Sequence, residues 1–171
     1  MRVHPVLRVV ATLATVLTLQ VVPVSAGAPS VASQDIVVRL YRDRSPEVVL
    51  EGPIQPVLWY EPPRVWEKYF SKRIVQLYAR AWECGTKWGI CTIEASPIWY
   101  SQDPGGVTVD IQSGPSEVTV FAVIRYPVDA IGAGTAKLEY RMIKQGREWK
   151  IDDISYPDGS SLTEWLTDAL K

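Results

Sequence analysis

Two adjacent acids, Asp152 and Asp153, sit inside REWKIDDISYPDG at residues 147–159 and are the first place to look for paired-carboxylate chemistry. Acid–base catalysis needs both groups to reach one reacting atom. In an extended strand neighbouring side chains point to opposite faces. A regular strand therefore groups Asp153 with Trp149 and Ile151, and Asp152 with Lys150. Ile154 then falls on the Lys150 side, so either the strand ends here or a bulge intervenes. The structural reading makes Trp149 and Ile151 core, leaves Asp152 solvated near Lys150, and turns Asp153 onto backbone near Pro157. The chemical alternative is a pocket-facing Asp153 acting as acid, base or ligand anchor. Asp103 is the second candidate. It lies in SQDPGG, where Asp before Pro and the Gly pair all favour a turn.

Other chemistries are thinner. The single histidine is His4, near the start of the chain, and Ser113 and Ser160 lie in turns without a partner histidine, which excludes a Ser-His nucleophile. A general base would have to be a carboxylate, Lys or Tyr with a tuned pKa. There is no glycine-rich phosphate loop, nucleophile elbow or HExxH motif, and no cofactor or metal is expected. Cys84 and Cys91, the two cysteines, stand in ECGTKWGIC. Their spacing is not a CxxC redox motif, and in an oxidising compartment the pair reads as a disulfide.

What remains is aromatic: seven Trp and eight Tyr. Trp59-Tyr60 and Trp99-Tyr100 both lie in or near loops rich in Pro, Gly or Ser. Aromatics there line a ligand mouth or a protein interface, or plug the gap between loop and sheet. Trp99, Tyr100, Asp103 and Asp153 are the candidate pocket residues.

The elements that must position them follow from periodicity. Residues 33–46 place Ile36, Val37, Leu40 and Tyr41 on one helical face, with Ser33 or Asp35 as cap and Pro46 as stop. Four prolines and a glycine make residues 47–63 an ordered loop, with room for a short strand. Residues 62–84 read as one long helix: Trp66, Tyr69, Phe70, Ile74, Leu77, Tyr78 and Ala81 recur at three and four, and Gly85 is the expected stop. The period then changes to two. Val107, Val109 and Ile111 share one face, as do Val118, Val120, Ala122 and Ile124, then Ala136, Leu138, Tyr140 and Met142. Turns join these runs and residues 147–155 into an antiparallel meander with one apolar face. Ser161 and Glu164 form a capping box for a last helix that buries Leu162, Trp165, Leu166 and Ala169. The fold class is α+β.

The chain opens with Arg2 and Arg8, an apolar run over about residues 9–22, and Val24-Ser25-Ala26. This is the layout of a secretory signal peptide cleaved near Ala26, and the run is shorter than the roughly 18 residues a spanning helix needs. The expected mature unit is one α+β domain over 27–171, periplasmic or secreted, with no stable membrane anchor. Loss of Arg2 and Arg8 takes the net charge from −1 to −3. With no basic excess, nucleic acid is not an expected partner.

Helix, aromatic helix, IWYSQDP, antiparallel strands and REWKIDDISY together resemble a family of exported bacterial domains of unknown function in the nuclear transport factor 2-like, cystatin-like superfamily. The resemblance covers about residues 33–170. It is carried by Ser101-Gln102-Asp103-Pro104 and by Trp149-Lys150-Ile151-Asp152-Asp153-Ile154. It implies a curved antiparallel sheet wrapped by N-terminal helices into a cone, often with an apolar pocket at the wide end. It does not imply one activity, since the superfamily holds enzymes, ligand binders, secretion components and scaffolds. The reading reached is a non-enzymatic protein binding a protein partner or small apolar ligand, with immunity or inhibitor roles fitting. A pocket enzyme using Asp acid–base chemistry and a structural scaffold are the rivals.

Overall fold

The computed structural model describes residues 32–49, 57–88, 95–127 and 134–171. The expected signal peptide and the cleavage point near Ala26 lie outside them, as does Cys91. The order of elements is α1 (Ala32–Arg44), α2 (Pro46–Val49), a 3-10 turn (Leu58–Tyr60), α3 (Pro63–Trp66), α4 (Lys72–Trp88), β1 (Thr108–Ser113), β2 (Thr119–Arg125), β3 (Thr135–Gln145), β4 (Glu148–Ser155) and α5 (Leu162–Asp168). The four strands form one curved, unclosed antiparallel sheet in the order β1-β2-β3-β4. This is the expected α+β class with a curved antiparallel sheet.

Binary patterning decides the sheet. From Thr135 to Met142 exposure along β3 alternates, burying Ala136, Leu138, Tyr140 and Met142. Ala122 faces Leu138 and Ile124 faces Ala136, so small and large side chains interdigitate across the β2–β3 pair. α1 lies over this apolar face and buries Ile36, Val37, Leu40 and Tyr41 as its period requires. Val118, expected on the inner face, is instead exposed and precedes β2 in the β1–β2 turn. Pro46 does not end the helical region; it takes the first position of α2, where its missing N–H costs nothing.

The long aromatic helix is the main correction. It is broken between Trp66 and Lys72, and it does not stop at Gly85 but runs to Trp88. The break is a pairing event: the Ile151 amide donates to Tyr69 O and the Ser71 amide donates to Ile151 O, both at 2.8 Å. Residues 69–71 thus leave the helix to cover the outer edge of β4, where unpaired backbone groups would otherwise face solvent. The stripe is core nonetheless, with Trp66 stacked on Tyr78 at 4.0 Å between ring centres and its indole donating to Leu58 O.

Gly114 is demanded by space, not by a left-handed φ. A Cβ there would sit 2.5 Å from Thr119 O and 2.7 Å from Thr119 Cβ, in the turn where Gly114 N donates to that same oxygen. Gly114→Ala is expected to cost about 1–3 kcal/mol through overpacking against backbone. Urea unfolding reads it as a lower midpoint at unchanged slope.

Candidate functional site

The paired acids resolve first. The β3–β4 register jumps between Arg141 and Met142, so that Arg141 faces Asp153 while Met142 already faces Ile151. Asp152 is the extra residue of a β-bulge. The bulge undoes the alternation: Ile151 and Ile154 both stay buried, and Asp152 and Asp153 both turn outward to meet the Arg141 guanidinium at 3.2 and 3.5 Å.

The pair is structural. Asp153 does hydrogen-bond backbone, but at α5 rather than toward Pro157. Its Oδ1 accepts from the Thr163 and Ile154 amides and its Oδ2 accepts from the Thr163 hydroxyl. Asp152 accepts from the Ser71 hydroxyl at 2.7 Å and from Arg73, which also donates to the Asp152 carbonyl. Burial raises the Asp152 pKa, but Ser71, Arg73 and Arg141 outweigh it and hold the carboxyl below its usual range. Lys150, expected beside Asp152, donates instead to Glu67 O. Asp153 therefore faces no pocket.

The loop carrying IWYSQDP departs from expectation in a more useful way. Ile98 and Trp99 are buried, and they fill the space beneath α1 and the sheet together with Tyr41 and Tyr140. Trp99 is a core residue, not a pocket residue: its ring meets Tyr41 edge-on at 4.9 Å and its indole donates to Glu47 Oε2 at 2.8 Å. The second Glu47 oxygen accepts the Leu58 amide, and burial raises the Glu47 pKa despite these donors and Arg44. The inner space that the resemblance marks as a pocket is thus occupied by the protein's own side chains.

Tyrosine hydroxyls from α1 and from the residues that follow β2 and β4 pin four successive carbonyls of this plug. Tyr156 donates to Pro97 O, Tyr41 to Ile98 O, and Tyr126 to both Trp99 O and Tyr100 O. Tyr140 donates to the Tyr41 oxygen at 2.8 Å, because Tyr41 spends its own proton on Ile98. Burial pushes the Tyr126 pKa up to about 12 and those of Tyr41 and Tyr156 well above the ordinary value, so all remain donors at neutral pH. Each carbonyl that the irregular loop brings inside is thereby paired.

At the end of the pinned stretch stands Tyr100, with φ 49°, the one non-glycine residue with positive φ among those described. For an L-residue with a bulky side chain this conformation costs about 1–2 kcal/mol. Its effect is to separate the pair: Trp99 points in, Tyr100 points out. The Tyr100 ring joins Tyr156 and Trp165 in a near-parallel group, with centres 5.3 Å apart for Tyr100–Tyr156 and 4.1 Å for Tyr156–Trp165. Tyr156 is buried; Tyr100 and Trp165 are partly buried and line an open groove of about 620 Å³ with Ser101, Gln102, Asp103 and Asp158.

Asp103 is where its turn chemistry puts it. Oδ1 accepts the Gly105 amide at 3.2 Å, its one bond among the described residues. Asp158 braces the opposite wall. It accepts from the Ser160 hydroxyl at 2.6 Å and the Ser160 amide at 2.9 Å, and these bonds hold its pKa low. The Tyr100 pKa is raised by burial and then by the negative charge of the Asp158 carboxylate.

Of the four candidates read from the sequence, Tyr100 and Asp103 share a groove, Trp99 lies beneath it, and Asp153 is elsewhere. Asp103 and Asp153 do not converge. Asp158 and Trp165 were missed as site residues. The turn PDGS and the capping box announced a loop and a helix, but nothing local announced that these meet the IWYSQDP loop.

The other pair, Trp59-Tyr60, is divided in the same manner, with Trp59 buried and Tyr60 exposed. It borders a small apolar cavity of about 180 Å³ with Tyr78 and Trp82. Cys84 stands in α4 nearby, and the bridge expected to Cys91 reaches outside the described residues. Among the described residues no group of three His, Cys, Asp or Glu side chains gathers as metal ligands, and no helix is long and apolar enough to cross a membrane.

No protein-family model matches the chain, and no curated protein matches it. Among solved structures the chain is similar to a phospholipid-binding protein from Ralstonia solanacearum, determined in complex with a phospholipid: 14% identity and a TM-score of 0.35, over 80% of this chain and 69% of that one.

Proposed function

We propose that this is a non-enzymatic binding protein whose recognition site is the Tyr100–Trp165 groove, not the interior of the cone. The observation that carries the reading is the backbone of Tyr100. A strained aromatic residue, held by hydrogen bonds from Tyr126 and turned away from a core that its neighbour Trp99 fills, is strain retained for a surface purpose. The charged groups support binding over reaction. Asp158 is tied into its own turn and held ionised, and Asp152 and Asp153 are spent on arginines and on α5. Export through a cleaved signal peptide, a periplasmic or secreted location, a Cys84–Cys91 bridge, and membership of the family that the sequence resembles belong to the same proposal.

The test exploits the strain. Glycine adopts positive φ without penalty, so Tyr100→Gly relieves about 1–2 kcal/mol while losing ring contacts worth about 0.5–1.5 kcal/mol. Its stability is expected to stay within about 1 kcal/mol of the parent. In amide and indole correlation spectra, a fragment set spanning ammonium, carboxylate, sugar and phosphate compounds is expected to move the Trp165 indole signal. Tyr100→Gly is expected to abolish those shifts. Shifts that persist in Tyr100→Gly, that gather on Trp59 and Trp82, or that never occur at Trp165 would sink the proposal.

A further inference from the structure

We infer that the groove selects an organic cation, a substituted ammonium group seated on Trp165 and Tyr100 between the Asp103 and Asp158 carboxylates. This deepens the proposed function and rests on the groove being the recognition site.

The lining is one-signed. Two carboxylates face the space, and no lysine, arginine or histidine among its described lining residues opposes them. Asp158 is ionised at neutral pH like any ordinary aspartate, and two bonds from Ser160 hold its pKa lower still. The Asp103 carboxylate accepts a single bond, from the Gly105 amide, which leaves most of its acceptor capacity for a guest. An anion entering this space would meet like charge from both carboxylates, and the Ser101 hydroxyl already donates to Asp103 O.

The remaining wall is aromatic. The negative face of an indole or phenol ring attracts a cation, with Trp the strongest, and the attraction grows as the cation sheds water. A substituted ammonium is weakly hydrated and carries its own apolar surface, so it loses little on entering and covers the partly buried rings. A bare metal ion would need a tighter oxygen cage than two carboxylates on separate loops supply. The same headgroup chemistry exists in free small molecules and at the surface of zwitterionic lipids, and the groove reads that shared group.

The experiment is a titration of the full mature chain with choline and with tetramethylammonium at constant ionic strength, followed through the Trp165 indole signal. Saturable shifts are expected at Trp165, with sodium chloride alone producing none. Asp103→Asn keeps the turn acceptor and removes the charge, and Asp158→Asn does the same on the opposite wall. Each is expected to weaken binding by about three- to tenfold, and the parent's affinity is expected to fall with added salt. Sedimentation with phosphatidylcholine vesicles, against phosphatidylglycerol vesicles, separates the two sources. Capture by the first alone assigns the lipid headgroup, and capture by neither, with choline bound, assigns the free cation.

A sugar such as methyl glucoside, or acetate, moving Trp165 while choline does not would overturn the ligand class and leave the groove as the site. Choline affinity unchanged in both Asn variants would overturn it too. Failure of every probe at Trp165 would instead remove the proposed function itself.

Discussion

Trp99→Ala is expected to lower the stability of the fold by about 3–5 kcal/mol, the cost typical of emptying a fully buried aromatic site. The indole is 2% exposed and lies in contact with Tyr41 beneath α1. Its loss would open a void that the pinned backbone cannot close, because the carbonyls on either side of Trp99 are held by Tyr41 and Tyr126. It would also take a donor from Glu47, a carboxylate with 2% of its side chain exposed. Trp99→Phe separates the two effects: it keeps most of the packing and forfeits the hydrogen bond to a charged acceptor, worth about 1.5–3 kcal/mol. Since whole domains are stable by about 5–15 kcal/mol, the alanine variant is expected to sit near its unfolding midpoint in mild urea. A loss below about 1 kcal/mol would mean that the IWYS segment is a surface loop, and the account of a filled interior would fail with it.

The contrast between Trp99 and Tyr100 marks the limit of what local sequence can show. Periodicity was sufficient for α1, where Ile36, Val37, Leu40 and Tyr41 recur on one face, and for β3, whose alternation fixes its own orientation. The Ser161–Glu164 cap was likewise legible, since both partners lie within one turn. Nothing in Trp99-Tyr100 says which ring faces inward. That is decided by Tyr126, Tyr41 and Tyr156, which come from three distant parts of the chain. The broken aromatic helix failed for the same reason: its 3.6 period is intact through Tyr69 and Phe70, and only the open edge of β4 pulls those residues out of it. Asp158 and Trp165 escaped notice as site residues because a groove formed between a loop, a turn and one side of α5 has no period of its own.

The bulge at Asp152 gives the second large effect, and it connects the scaffold to the groove. Asp153→Ala is expected to cost about 2–3 kcal/mol. The substitution leaves the Thr163 amide in the first turn of α5 without its acceptor, a loss of the capping kind worth about 0.5–2 kcal/mol. It also strips the Ile154 amide and the Thr163 hydroxyl of a shared partner. The ion pair with Arg141, whose side chain is 58% exposed, adds little to this sum. Asp153→Asn retains one acceptor oxygen and is expected to recover about half the loss, which a regular two-acid strand with a solvated Asp153 would not predict. Because α5 carries Trp165, loosening its first turn is expected to broaden the Trp165 indole signal and weaken groove binding, although Asp153 does not line the groove. Hydrogen exchange of the α5 amides, fastest in Asp153→Ala and intermediate in Asp153→Asn, is the measurement that checks it. Equal exchange in all three proteins would show that α5 is held by Leu162 and Leu166 alone, and that the outward turn of the acid pair has no consequence for the site.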